Sequence, residues 1–106
     1  MATTLSNAEL KVETVTTAEE TLVRCLGKIT ITSATALQTA IRELIPQTKR
    51  LVLDLAGVTY LDSFGLGALV GVYLAARKQQ CELKLINVSQ QVKELLGITN
   101  LASVLQ

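Results

Sequence analysis

The run Leu51-Val52-Leu53-Asp54-Leu55, continued by Gly57-Val58-Thr59-Tyr60-Leu61-Asp62-Ser63-Phe64-Gly65-Leu66-Gly67, decides how the rest of the chain is read. Five nearly all-apolar residues are the pattern of a strand covered on both faces in a parallel sheet. Beyond Asp62-Ser63, the residues Leu66, Leu69, Val70, Tyr73 and Leu74 recur at helical spacing, and Arg77 and Lys78 supply the cations that suit a helix C-terminus. The segment predicts a central strand, then a helix starting near Ser63 with Leu66, Leu69, Val70 and Tyr73 as its core stripe.

Upstream, Leu37, Ala40, Ile41, Leu44 and Ile45 mark a second amphipathic helix, with Ser33 as its N-cap and Pro46 as its stop. Leu10 to Thr16 alternates apolar and polar residues, Thr17-Ala18-Glu19-Glu20 interrupts the alternation, and Thr21 to Leu26 resumes it, which predicts a hairpin closed by Gly27. Downstream, Glu82 to Val88 reads as a strand. Ser89 then caps a short helix through Val92, Leu95 and Leu96 that ends at Gly97, and the tail 98–106 is apolar enough to pack back. The order β-β-α-β-α-β-α predicts an α/β fold in one domain over residues 1–106. Its sheet is mixed, mainly parallel and four-stranded, with right-handed crossovers and three to four helices.

Composition removes whole classes of chemistry. The 106 residues hold ten Lys and Arg against nine Asp and Glu, no tryptophan, one phenylalanine and two tyrosines, so neither the basic stripe nor the stacking rings of a nucleic-acid binder are present. The absence of histidine excludes serine-histidine triads, histidine proton shuttles and most zinc sites. Asp62, scattered glutamates and lysines are the only acid-base candidates, and no second carboxylate neighbours Asp62 in sequence; no enzyme activity, metal or cofactor is expected. Cys25 and Cys81 fit neither a disulfide framework nor a metal spacing and read as core residues in a reducing compartment. No secretory signal is visible, and the longest helix-like apolar stretch, Phe64 to Ala76, falls short of the roughly 20 residues of a membrane span, so a cytoplasmic chain with no direct membrane insertion is expected.

Asp62 and Ser63 are where a site is expected, at the C-terminal end of a parallel strand beside a helix N-terminus. A helix cap worth about 1 kcal/mol accounts for the pair without any function. The glycines ask for more: Gly65 and Gly67 in the first turns and Gly71 in mid-helix each cost up to about 1 kcal/mol relative to alanine. Gly65 falls outside the Leu66 and Leu69 stripe, which predicts a bare patch beside Ser63 for the close approach of a partner's backbone. Gly71 is read as letting the helix lie close on the sheet. No phosphate-loop spacing is present.

These residues carry a resemblance. The strand Leu51 to Leu55, the run Gly57 to Ser63 and the segment Gly65-Leu66-Gly67-Ala68-Leu69 resemble the signature of the STAS domain family, the bacterial anti-sigma factor antagonists. Gly27, the capped first helix and Leu83 to Gly97 fit the same pattern, which covers roughly Leu10 to Leu105. The resemblance implies a non-catalytic switch that binds an anti-sigma factor with serine-kinase activity and so releases a sigma factor. The kinase phosphorylates Ser63, and a phosphatase restores it. Asp62, Ser63, Phe64, Gly65, Gly67 and Thr30 are the implied partner-binding residues. Two positions depart from the family: Gly27-Lys28-Ile29-Thr30 stands where many members have Gly-x-Leu-Asp, and Phe64 replaces a small residue after the serine. A non-phosphorylated STAS subunit of a stress-signalling scaffold or a lipid-transport ATPase complex is the alternative.

Overall fold

In the computed structural model the backbone is described for residues 2–6 and 8–98, and side chains for residues 8–94. Strands β1 (Ala2–Ser6), β2 (Leu10–Thr16) and β3 (Glu20–Ile29) precede helix α1 (Ala34–Leu44) and a 3-10 turn at Ile45–Gln47. Strand β4 (Arg50–Leu61), helix α2 (Ser63–Lys78), strand β5 (Glu82–Ile86) and helix α3 (Gln90–Ile98) follow.

The α/β class and the mixed sheet are as the sequence predicts. The four expected strands are joined by a fifth, β1, at the edge, and the sheet order is β1-β2-β3-β4-β5. The first two pairings are antiparallel and the last two parallel, so the ladders divide evenly where a mainly parallel sheet is predicted. Ala2–Ser6 contains a single large apolar residue, Leu5, and so lacks the alternation that marks a strand. The tail 99–106, expected to pack back, lies outside the described residues.

The two crossovers step the same way across the sheet, β3 to β4 to β5, and α1 and α2 pack against each other on one face, as crossovers of one hand require. There Ile41, Leu37, Val72 and Leu69 close over Val23, Cys25, Leu51, Leu53 and Leu85 to form the core. The central strand is therefore covered by these helices on one face only, not on both. Val52 and Asp54 alternate to the other face, where their register neighbours Leu22 and Lys84, and Arg24 and Ile86, leave each only 8% exposed.

Helix α2 buries Gly65, Ala68, Leu69, Val72 and Ala76. Of the predicted stripe Leu69 is buried, while Leu66, Val70 and Tyr73 are half-buried, so the inward face is shifted from the one expected. Small residues face inward because the helix lies close to the elements beneath it. Gly71 faces α1, not the sheet, and a Cβ there would run into the Gln38 amide. Pro46 ends α1 as expected and stands within the 3-10 turn that follows. Helix α3 runs one residue past Gly97, to Ile98, and Ser89 caps it, its Oγ accepting from the Val92 N–H at 3.3 Å.

Candidate functional site

Strand β3 does not stop at Gly27. It runs to Ile29 through two register irregularities against β4, and Gly27 takes φ +119°, in the region that favours glycine. The missing side chain also makes room for a neighbour, since a Cβ at Gly27 would overlap the Glu9 carbonyl oxygen, which accepts from the Lys28 N–H at 3.0 Å. Glu9, which no motif singles out, is thereby seated beside the end of β3. The Thr30 hydroxyl donates to Glu9 Oε2 at 2.5 Å. The Ser33 and Thr30 hydroxyls beside Glu9 hold its carboxyl below the usual range.

The loop from β3 into α1 is tied at every residue. Ser33 is fully buried, but its hydroxyl does not cap α1 as predicted. It turns back into the loop, donating to Lys28 O at 2.8 Å and accepting from the Thr30 N–H at 3.0 Å. The Thr32 N–H donates to Thr30 Oγ1 at 3.2 Å. Ile31 stands 63% exposed at this loop.

Asp62 joins this loop to α2. As the N-cap it accepts from the Gly65 N–H through Oδ1 at 2.8 Å, and through Oδ2 it accepts from the Ile31 N–H at 3.1 Å. Its own N–H donates to Ile29 O at 3.2 Å. The cap expected at Asp62 is therefore one half of a two-sided clamp.

Gly65 corrects an expectation. It is buried, and a Cβ on it would overlap Ile29 O and crowd Leu61 Cδ1, so it serves the close approach of α2 to the ends of β3 and β4 and leaves no bare patch outside. Gly67 is the exposed glycine, with open space where its Cβ would stand. Ser63 is the first residue of α2 and is exposed, and among the described residues its hydroxyl has no hydrogen-bond partner. Two threonines at this end differ: Thr59 Oγ1 donates to Gly27 O at 3.3 Å, and Thr30 Oγ1 is committed to Glu9. Phe64, 56% exposed, follows Ser63. The structure thus gathers Thr30, Asp62, Ser63, Phe64 and Gly67 at one end of the sheet, with Gly65 beneath them.

The polar pair on the other face lies apart from this end. Asp54 accepts from Asn87 Nδ2 and from the Ala56 N–H, both at 3.0 Å, and its Oδ2 stands 3.6 Å from Arg24 Nε. The Asn87 hydrogen bond leads in holding the Asp54 carboxyl below its usual range. Both cysteines are free and buried. Burial, with the Asp54 charge second, pushes the Cys25 thiol up to about 12. Among the described residues no group of three His, Cys, Asp or Glu could hold a metal ion.

Comparison with known proteins agrees with this architecture. The anti-sigma-B factor antagonist of Bacillus subtilis (strain 168) is 36% identical over 83 residues, covering 78% of this chain and 76% of that protein. An anti-sigma factor antagonist from Mycobacterium paratuberculosis superposes with TM-score 0.79 at 23% identity, over 95% of this chain and 87% of that one. The unphosphorylated form of the anti-sigma factor antagonist SpoIIAA gives 0.76 at 18% identity, over 92% of this chain and 85% of that one, so its likeness is one of fold. The model of the STAS domain matches residues 10–106, and the chain, with its five-stranded sheet and its Asp62-capped α2, belongs to the STAS domain family.

Proposed function

We propose that this chain is an anti-sigma factor antagonist: a binding module that holds an anti-sigma factor with serine-kinase activity, frees a sigma factor, and is released when Ser63 is phosphorylated. The observation that carries the reading is the state of Ser63. It stands exposed at the first residue of α2, directly after the capping Asp62, while the Thr59 and Thr30 hydroxyls are bonded within the fold. The 36% identical relative that bears the name anti-sigma-B factor antagonist supports it.

The chemistry of the switch is electrostatic. In the transfer, Ser63 Oγ bonds to the γ-phosphorus of ATP held by the kinase, the bond to the bridging oxygen breaks, ADP leaves and the hydroxyl proton is released. The product carries about −1.5 to −2 charge at pH 7. The N-terminus of α2 tolerates that charge within the domain. Against a docked partner, phosphate and Asp62 side by side are repelled and poorly hydrated, and the complex opens. A phosphatase resets the chain. Phe64 serves as an aromatic anchor in the complex, and Thr30, Asp62, Ser63 and Gly67 complete the contact surface, with Gly65 supporting it from below. No helix among the described residues is long and apolar enough to cross a membrane, and we place the switch in the cytoplasm with its kinase.

The test is mass spectrometry after incubation with ATP and the kinase captured from the source cell on the wild-type chain. Phosphate is expected on Ser63, and Ser63→Asp is expected to lose the partner. Phosphate on Thr59 or Thr30 with Ser63 untouched overturns the assignment. A partner set containing transporter ATPase or scaffold proteins and no kinase supports the non-phosphorylated subunit instead.

A further inference from the structure

Ile31 is a large apolar side chain, 63% exposed, in a loop where the Thr30 and Ser33 hydroxyls are both hydrogen-bonded within the fold. An exposed isoleucine alone requires no explanation. This one is set apart by its tether, because its own backbone N–H is held by Asp62 Oδ2 at 3.1 Å, one residue from Ser63. On the other side of Ser63 stands Phe64, 56% exposed. A protein that reaches the Ser63 hydroxyl therefore comes up against both residues, with the backbone of Ile31 held by Asp62 and that of Phe64 set in the first turn of α2 before it arrives. Thr30, the loop position from which the resemblance implies a polar contact, spends its hydroxyl on Glu9, so the loop offers an apolar group to that protein.

We propose that Ile31 is a second apolar anchor for the kinase that modifies Ser63, and that Asp62 is the positioning residue that holds it in register with Phe64. The kinase surface opposite this loop is then apolar, and preorganisation of the two anchors reduces the ordering that docking demands. The inference rests on the antagonist reading above and adds to it the chemistry of the partner's surface.

Asp62 allows a selective test. Asp62→Asn keeps Oδ1 as an acceptor for the Gly65 N–H and asparagine is a good N-cap, but the amide NH2 cannot accept from Ile31. Ile31→Ala, Phe64→Ala, Asp62→Asn and the double variant Ile31→Ala/Asp62→Asn are titrated calorimetrically against the Ser63 kinase captured on the wild-type chain, each with a thermal melt. The expected result is binding weakened about tenfold or more by Ile31→Ala and by Phe64→Ala. Melting temperatures are expected to stay near wild type. Ile31→Ala is expected to add little in the Asp62→Asn background, because an anchor no longer held has little left to lose. Full additivity of the two substitutions assigns Asp62 a plain charge contact and overturns its positioning role. An Ile31→Ala variant that binds like wild type while Phe64→Ala does not overturns the second anchor alone. A concentration-dependent wild-type dimer lost in Ile31→Ala assigns the surface to a second copy of the chain and overturns the proposal. If no kinase phosphorylates wild-type Ser63, the antagonist reading itself falls and takes this inference with it, an outcome distinct from the others.

Discussion

Single residues at the site separate by which way they face. Gly65 and Gly67 stand two positions apart in the first turns of α2, yet a side chain on one meets backbone while a side chain on the other meets nothing. Gly65→Ala is expected to cost about 1 to 3 kcal/mol through overlap with Ile29 O. Gly67→Ala is expected to leave stability unchanged or raise it by up to about 1 kcal/mol, since alanine restricts the unfolded chain and favours the helix. Thermal melts of the two variants check the contrast, and equal shifts would contradict the close approach of α2 to β3. Cys25 gives an independent reading of the core: with its thiol pushed up to about 12 and its side chain fully buried, it is expected to resist iodoacetamide at pH 8 in the folded protein and to react once the chain is unfolded in urea.

At the scale of elements, what the sequence disclosed depended on how sharply its pattern discriminated. α1 was legible because its apolar residues form one stripe among polar ones, with Leu37 and Ile41 inside. α2 was legible as a helix but not in its orientation. Leu66, Leu69, Val70, Val72, Tyr73 and Leu74 are all apolar, so several stripes fit the spacing, and close packing selected the one carrying Gly65, Ala68 and Ala76. Asp62 and Ser63 could be picked out from the motif and its cap chemistry. Ile31 and Glu9 could not, because their importance comes from partners 31 and 21 residues away. The register shifts of β3 against β4 carry no signature in sequence either, since Gly27 reads equally well as the end of the strand. That irregularity makes its own prediction: Gly27→Ala places a side chain at φ +119° and against the Glu9 carbonyl, and is expected to cost about 1 to 3 kcal/mol or more, read as a lower urea midpoint with unchanged slope.

Over the whole molecule, two carboxyls set the acid limb of stability. Glu9 and Asp54 both have folded pKa values below their unfolded ones, so their contribution is fully present above the unfolded values, about pH 4, and is lost as pH falls through the folded values. Melting temperature is expected to fall below about pH 4, and less steeply in Asp54→Asn, whose starting stability is lower; identical slopes would remove Asp54 from the account. The proposed phosphorylation of Ser63 acts on the whole molecule as well, since adding about −1.5 to −2 to a net charge of +1 reverses its sign, and isoelectric focusing of the modified chain is expected to move it from near 7.8 to the acidic side of neutrality.

The strands lie side by side in the order in which the chain is written, β1 to β5. During synthesis each strand therefore meets a neighbour that has already been made, and the antiparallel meander of β1, β2 and β3 can form before any crossover is needed. The loop that carries Ile31 comes with that early part, but Asp62, which fixes it, is made 31 residues later. An unfinished chain thus has part of a sheet and an unsettled proposed docking end, so on the antagonist reading competence to sequester a partner arrives late, when the first turn of α2 has closed onto β3.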